Sequence, residues 1–132
     1  MGFREILKFW FQETDRKQWW AKDSAFDAVI AGRFGAVHAR ASQCELYAWR
    51  KSPQGRLAEI IILDQFSRNI YRDNPLAFAT DSLALALAQE AVSAGADKKL
   101  TSAEMAFLYM PFMHSESPVI HQTAVRLYGA DG

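Results

Sequence analysis

The sequence is poor in the residues that cross-link or interrupt a chain. Its 132 residues include one cysteine, four prolines and seven glycines. The single thiol, Cys44, has no partner for an internal disulfide, and no Cys-x-x-Cys or Cys/His spacing suits a metal site. A reducing, cytoplasmic compartment is therefore expected. An excess of one charge is also missing. There are 15 Lys+Arg against 15 Asp+Glu, and no tail or patch gathers one sign. This balance argues against a nucleic-acid partner and against polybasic contact with a membrane. Long apolar runs are absent too. The stretches 60–63, 83–88 and 105–113 fall far short of the roughly 20 residues that span a bilayer. The N-terminal residues carry charges of both signs through their apolar stretch, unlike a signal peptide. There is no glycine-rich phosphate loop, and neither Ser67 nor Ser115 sits in a nucleophile elbow. No cofactor motif is present, and hydrolases of the usual kinds are unsupported.

What is abundant is apolar and aromatic. Half the residues are hydrophobic, with nine Phe, four Tyr and four Trp. One domain over residues 1–132 with a substantial core is expected. Abundant alanine with few breakers favours helix. Phe3, Ile6, Leu7, Trp10 and Phe11 follow the spacing of one helical face. Asp23 is a good cap for a second helix, lined by Phe26, Val29, Ile30, Phe34 and Val37, ending near Ser42. Ser52-Pro53, Asn74-Pro75 and Ser117-Pro118 each place a capping residue before a proline at the first helical position. Thr101 and Glu104 match a capping box. Gly95 and Gly129 stand where C-caps are expected. These signals predict helices over about 53–70, 75–94 (or a turn at 75–80 and a helix from Asp81), 102–113 and 117–128. Pro111 should kink the helix that contains it. The fold class is all-α. Short loops favour antiparallel helical hairpins, packed either as a compact bundle or as a short right-handed helical array. The small residues Ala84, Ala88 and Ala91 would let neighbouring helices approach closely.

A few polar residues do not fit a plain core. Asp64 and Arg68 sit at i, i+4 near the end of a helix that is apolar almost all round, with Gln65 and Asn69 beside them. A buried Asp is costly unless paired, and Arg68 is the obvious partner. His114 and Glu116 follow a run of apolar residues, and His121 lies seven further on. The His-x-Glu-x4-His spacing matches no metal motif, so no metal is expected. Asp81 reads most simply as an N-cap, or else as a third carboxylate facing Asp64 and Arg68. His38 is expected at the surface or boundary. Trp10, Trp19, Trp20 and Trp49 are expected to pack in the core and between hairpins, with Trp19-Trp20 as a candidate aromatic wall.

Three motifs suggest a family. Leu63-Asp-Gln-Phe-Ser-Arg-Asn-Ile-Tyr-Arg72, Ala77-Phe-Ala-Thr-Asp81 and Phe107-Leu-Tyr-Met-Pro-Phe-Met-His-Ser-Glu116 resemble the bacterial proteins grouped as domain of unknown function 924. The opening Phe9-Trp-Phe11 and the pair Arg33-Phe34 are in keeping. The resemblance implies an all-helical fold similar to tetratricopeptide repeats, and no particular reaction. The family pattern commonly has Pro where this chain has Ser67. Its members usually continue through further helices after the His-Ser-Glu motif. On that comparison the chain looks like the N-terminal portion of a longer pattern, and apolar surface left uncovered should join copies into a homo-oligomer.

Two functions follow as expectations. In the first, Asp64, Arg68, Asn69, Asp81, His114 and Glu116 line a groove that binds a peptide or small polar ligand. In the second, His114 is a general base, Asp64 or Glu116 orients it, and Arg68 holds an anionic substrate. The plain alternative is that these residues only knit helix ends together. Convergence of the residues on an open cavity would favour the first two.

Overall fold

The computed structural model describes residues 1–131. Among them there is no strand, and the fold is all-α. Helix α1 (Phe3–Lys8) widens into a π turn at Phe9–Glu13. Helix α2 (Arg16–Trp20) is capped by Asp15, whose side chain accepts from the Lys17 amide. Helix α3 (Ser24–Ser42) begins under Asp23, which accepts from the Ala25 and Phe26 amides. A 3-10 turn (Tyr47–Lys51) leads to helix α4 (Pro53–Ile61), capped by Ser52. The same rod continues through a π turn (Ile62–Phe66) and a last helical turn (Ser67–Ile70), and α4 denotes the whole rod, 53–70. A 3-10 turn (Pro75–Phe78) precedes helix α5 (Asp81–Ser93). Helix α6 (Ser102–His114) opens on the Thr101/Glu104 capping box, and helix α7 (Pro118–Asp131) follows a sharp turn.

The sequence signals explain most of these boundaries, since each cap satisfies amides that the first helical turn leaves unpaired. Gly95 ends α5 with φ of 75°, the left-handed conformation that glycine adopts without strain. Helix α6 contains Pro111 and runs on to His114. One expectation fails. Helix α7 continues past Gly129 to Asp131, so that glycine is not a C-cap. Glycine in a helix costs only about 1 kcal/mol, which neighbouring helical residues override.

Helix α4 is the axis of the molecule. It packs against α1, α3, α5 and α6. That position explains why its residues 57–63 are apolar on nearly every side: Leu57, Ala58, Ile60, Ile61, Ile62 and Leu63 are all buried. Each such large side chain contributes roughly 1.5–3 kcal/mol by leaving water. The aromatic residues of α1 close one side, with Phe9 edge-on to Phe34 at 4.8 Å and Trp10 edge-on to Phe107 at 5.5 Å. Ala84, Ala88 and Ala91 form the buried face of α5. Helices α5, α6 and α7 then pack in sequence, each on the one before.

The π turn in α4 displaces the regular ladder and leaves the Leu63 carbonyl to side chains. Ser67 Oγ donates to it at 2.7 Å and Thr80 Oγ1 at 2.8 Å. His38 Nε2 lies 2.7 Å from Ser67 Oγ. Because the Ser67 hydroxyl hydrogen goes to the carbonyl, His38 supplies the hydrogen of that contact and is the Nε2–H tautomer. His38 is therefore a buried, hydrogen-bonded residue, 7% exposed, and not the boundary residue expected. Burial holds its pKa below the ordinary value, because a charged imidazolium would lose its hydration there.

Candidate functional site

The second half of α4 carries the polar residues, and the π turn lies immediately before them. Asp64 is 1% exposed, yet its carboxylate is well supplied. Arg68 Nη1 donates to Asp64 Oδ1 at 2.8 Å. The same nitrogen lies 2.9 Å from Asp81 Oδ1, and Arg68 Nη2 donates to Asp81 Oδ2 at 2.9 Å. One guanidinium thus bridges two carboxylates, one from α4 and one from the start of α5. The Phe78 ring lies 5.4 Å from the same guanidinium. Asp81 is thus a second carboxylate facing Asp64 and Arg68 and not a side-chain cap, since α5 has no side-chain cap bond.

His114, the last residue of α6, reaches the same carboxylate from 50 residues away. Its Nδ1 lies 2.7 Å from Asp64 Oδ1. A carboxylate paired with Arg68 accepts only, so Nδ1 carries the hydrogen and donates. This leaves Nε2, on the opposite edge of the ring, with no hydrogen-bond partner among the described residues. The arrangement fixes the tautomer and angle of the ring while its second nitrogen stays free.

A second ion pair runs alongside. Asn69 Nδ2 donates to Asp27 Oδ1 at 2.9 Å, and Arg72 grips Asp27 through Nε and Nη2. Burial alone would raise the pKa of Asp27. The hydrogen bonds from Arg72 and Asn69 and the nearby positive charge outweigh it and hold the carboxyl below its usual range.

A cavity of about 200 Å³ opens above these groups. Its walls are Gln65, Arg68 and Asn69 from α4, Arg72 from the turn that follows it, His114 from α6, and Trp19, Trp20 and Ala21 from the end of α2. Trp19 is held by its indole N–H, which donates to the Trp10 carbonyl at 3.0 Å. Trp20 stacks on Phe107 at 5.7 Å with its plane tilted by 11°, and it is 64% exposed. Trp20 is thus not a core residue as expected, whereas Trp10 is, and the Trp19-Trp20 pair does form an aromatic wall.

The expected site residues divide. Asp64, Arg68, Asp81 and His114 converge, and Asn69 belongs to the adjoining Asp27–Arg72 pair. Glu116 does not join them. It is exposed, forms no ion pair among the described residues, and lines a separate cavity of about 500 Å³ with Phe78, Asp81 and Leu85. Asp27, Arg72 and Gln65 were not among the expected site residues, whereas the two tryptophans were a candidate aromatic wall. Arg72 lies in the turn after the helix, and helical spacing gave no signal for it. Asp27 gave none, because its partner is 45 residues away. Among the described residues no group of three His, Cys, Asp or Glu is placed to hold a metal ion, and no helix is long and apolar enough to cross a membrane.

Comparison with curated proteins gives no match. Among solved structures, the chain is similar to a protein of unknown function from Agrobacterium tumefaciens. The two share 35% identity and superpose with a TM-score of 0.94, over 98% of this chain and 73% of that one. A model of a bacterial family of proteins of unknown function, DUF924, matches residues 6–131. The resemblance carried by the three motifs is thus the true affiliation, and the chain belongs to the DUF924 family.

Proposed function

We propose that this protein binds a small polar ligand in the 200 Å³ cavity between α2 and the second half of α4, with His114 as the group that accepts the ligand's proton. One observation carries the reading. The 2.7 Å bond from Nδ1 to Asp64 orients the ring and leaves Nε2 as a free acceptor on a residue that walls the cavity. The cavity is smaller than the roughly 300–1,000 Å³ of sites for drug-sized ligands, which favours a small molecule over a peptide.

The same bond favours catalysis as a second reading. A carboxylate-oriented imidazole with a free nitrogen is the arrangement of a general base, and it needs only a ligand or bound water with a labile proton. The scaffold is read as a short TPR-like array, a reading supported by the successive packing of α5, α6 and α7 and by the alanine face of α5.

The test is a screen of small polar fragments against the whole chain by protein-observed NMR. Hits should shift the signals of Trp19, Trp20, Gln65 and His114, and Trp20→Ala should weaken them at least tenfold. The reading fails if no fragment shifts these residues, or if the hits gather in the larger cavity beside Phe78 and Glu116.

A further inference from the structure

The donors and charges around the cavity narrow the ligand class, given the reading that this cavity is the binding site. The wall contains two guanidinium groups and no carboxylate. The three carboxylates that neutralise them, Asp27, Asp64 and Asp81, bind guanidinium edges without lining the cavity. Arg72 spends Nε and Nη2 on Asp27, so both hydrogens of Nη1 are uncommitted. Arg68 likewise spends Nη1 and Nη2, leaving Nε. Both arginines are held in place by their carboxylates, so a ligand need not freeze them on arrival. Guanidinium hydrogens presented in a fixed fork match a carboxylate or phosphate oxygen. Trp20, exposed yet stacked from below on Phe107, offers a flat apolar surface beside them.

Charge bookkeeping adds a condition. Two guanidiniums against three carboxylates give the cluster a charge of −1 when His114 is neutral. An anion entering alone makes it −2. Entering with a proton on His114 Nε2, it leaves the cluster at −1 and gains a charged donor. The other ionisable group near Asp64 is Tyr128 of α7, whose pKa burial raises and whose hydroxyl donates to the Ala106 carbonyl, so it stays neutral.

We propose that the cavity takes the oxyanion of a small aromatic acid, a carboxylate or a phosphate monoester, between Arg72 Nη1 and His114 Nε2 with its ring on Trp20, and that one proton enters His114 with each anion.

Benzoate, phenyl phosphate, acetate, inorganic phosphate and the neutral analogue benzamide serve as probes, titrated into the whole chain by calorimetry and NMR at pH 6 and pH 8. Benzoate or phenyl phosphate should shift Trp20, Arg72 and His114, bind more tightly than acetate or phosphate alone, and outcompete benzamide. Their affinity should rise as the pH falls, by up to about tenfold per unit. Calorimetry in buffers of different ionisation enthalpy should show proton uptake, and His114→Gln should abolish it. Wild-type NMR of the His114 ring nitrogens reports the same uptake if that variant does not fold. Equal binding of benzamide and benzoate, with no pH dependence, overturns the oxyanion but leaves the cavity reading standing. Silence from every probe, while fragments of other chemistry do shift Trp20 and His114, also overturns it. Silence from probes and fragments alike ends both.

Discussion

At the scale of single residues, the informative pairs are those that cross the sequence. The Asp64–Arg68 bond is local, and its i, i+4 spacing is visible in the chain. The bond from His114 to Asp64 spans 50 residues and that from Arg72 to Asp27 spans 45. Spacing rules act over one or two helical turns and carry no information at such range. The sequence therefore marked Asp64 and His114 as unusual but could not join them. With Asp64 buried, Arg68→Ala should cost about 3–5 kcal/mol in chemical denaturation, because a carboxylate would lose its main charged partner. A loss under about 1 kcal/mol would mean that water or His114 replaces Arg68. His38 gives a pH prediction. Its pKa in the fold lies below the ordinary value near 6.5, so the unfolded chain takes up a proton first. The stability it confers is complete above that value and is lost as the pH falls through 6.5 towards the folded pKa. Melting temperatures from pH 7.5 to 5.5 should fall more steeply for the wild type than for His38→Gln. Equal slopes would place His38 in contact with water.

At the scale of elements, helix starts were the most legible part of the fold. Asp23, Ser52, Asn74 and Thr101 all cap as read, because a cap is a local bond within three residues. Helix ends were legible in part, at Ser42 and before Gly95 but not at Gly129, and irregular turns were not legible. The two π turns depend on what accepts or fills the displaced turn from elsewhere, as Thr80 does for the Leu63 carbonyl. Gly55 is a further case. A Cβ placed there would stand 2.0 Å from the Trp49 carbonyl oxygen, in the turn that leads into α4. In an ordinary helix Gly→Ala stabilises by up to about 1 kcal/mol. Here the clash is with backbone, which cannot rotate away, so Gly55→Ala should destabilise by roughly 1–3 kcal/mol or more. Denaturant midpoints would show it. A gain in stability would mean that the 47–51 turn shifts freely, contrary to its packing on α4.

At the scale of the whole molecule, α4 is surrounded and α7 is not. Helix α7 rests on α6, with Ala124 buried and Ile120, Leu127 and Tyr128 half-buried. Its outer side carries Val119 and Val125, 69% and 70% exposed, and Met113 at the end of α6 is exposed nearby in sequence. The two valines stand six residues apart, about 120° around the helix axis, so they are separate exposed apolar points on an edge helix, each of which a second copy could cover. The expected homo-oligomer is proposed as a twofold dimer through α7 against α7, in which the same patch of each copy faces its partner. Light scattering after size exclusion should give twice the 14.9 kDa of one chain, and Val125→Glu should return it to one chain mass without changing the melting of the α4 core. Val125 is already exposed in the single chain, so the charge costs nothing there and acts only on association. A wild-type mass of one chain across micromolar to millimolar concentrations would reject the dimer, and so would a dimer that Val125→Glu leaves intact.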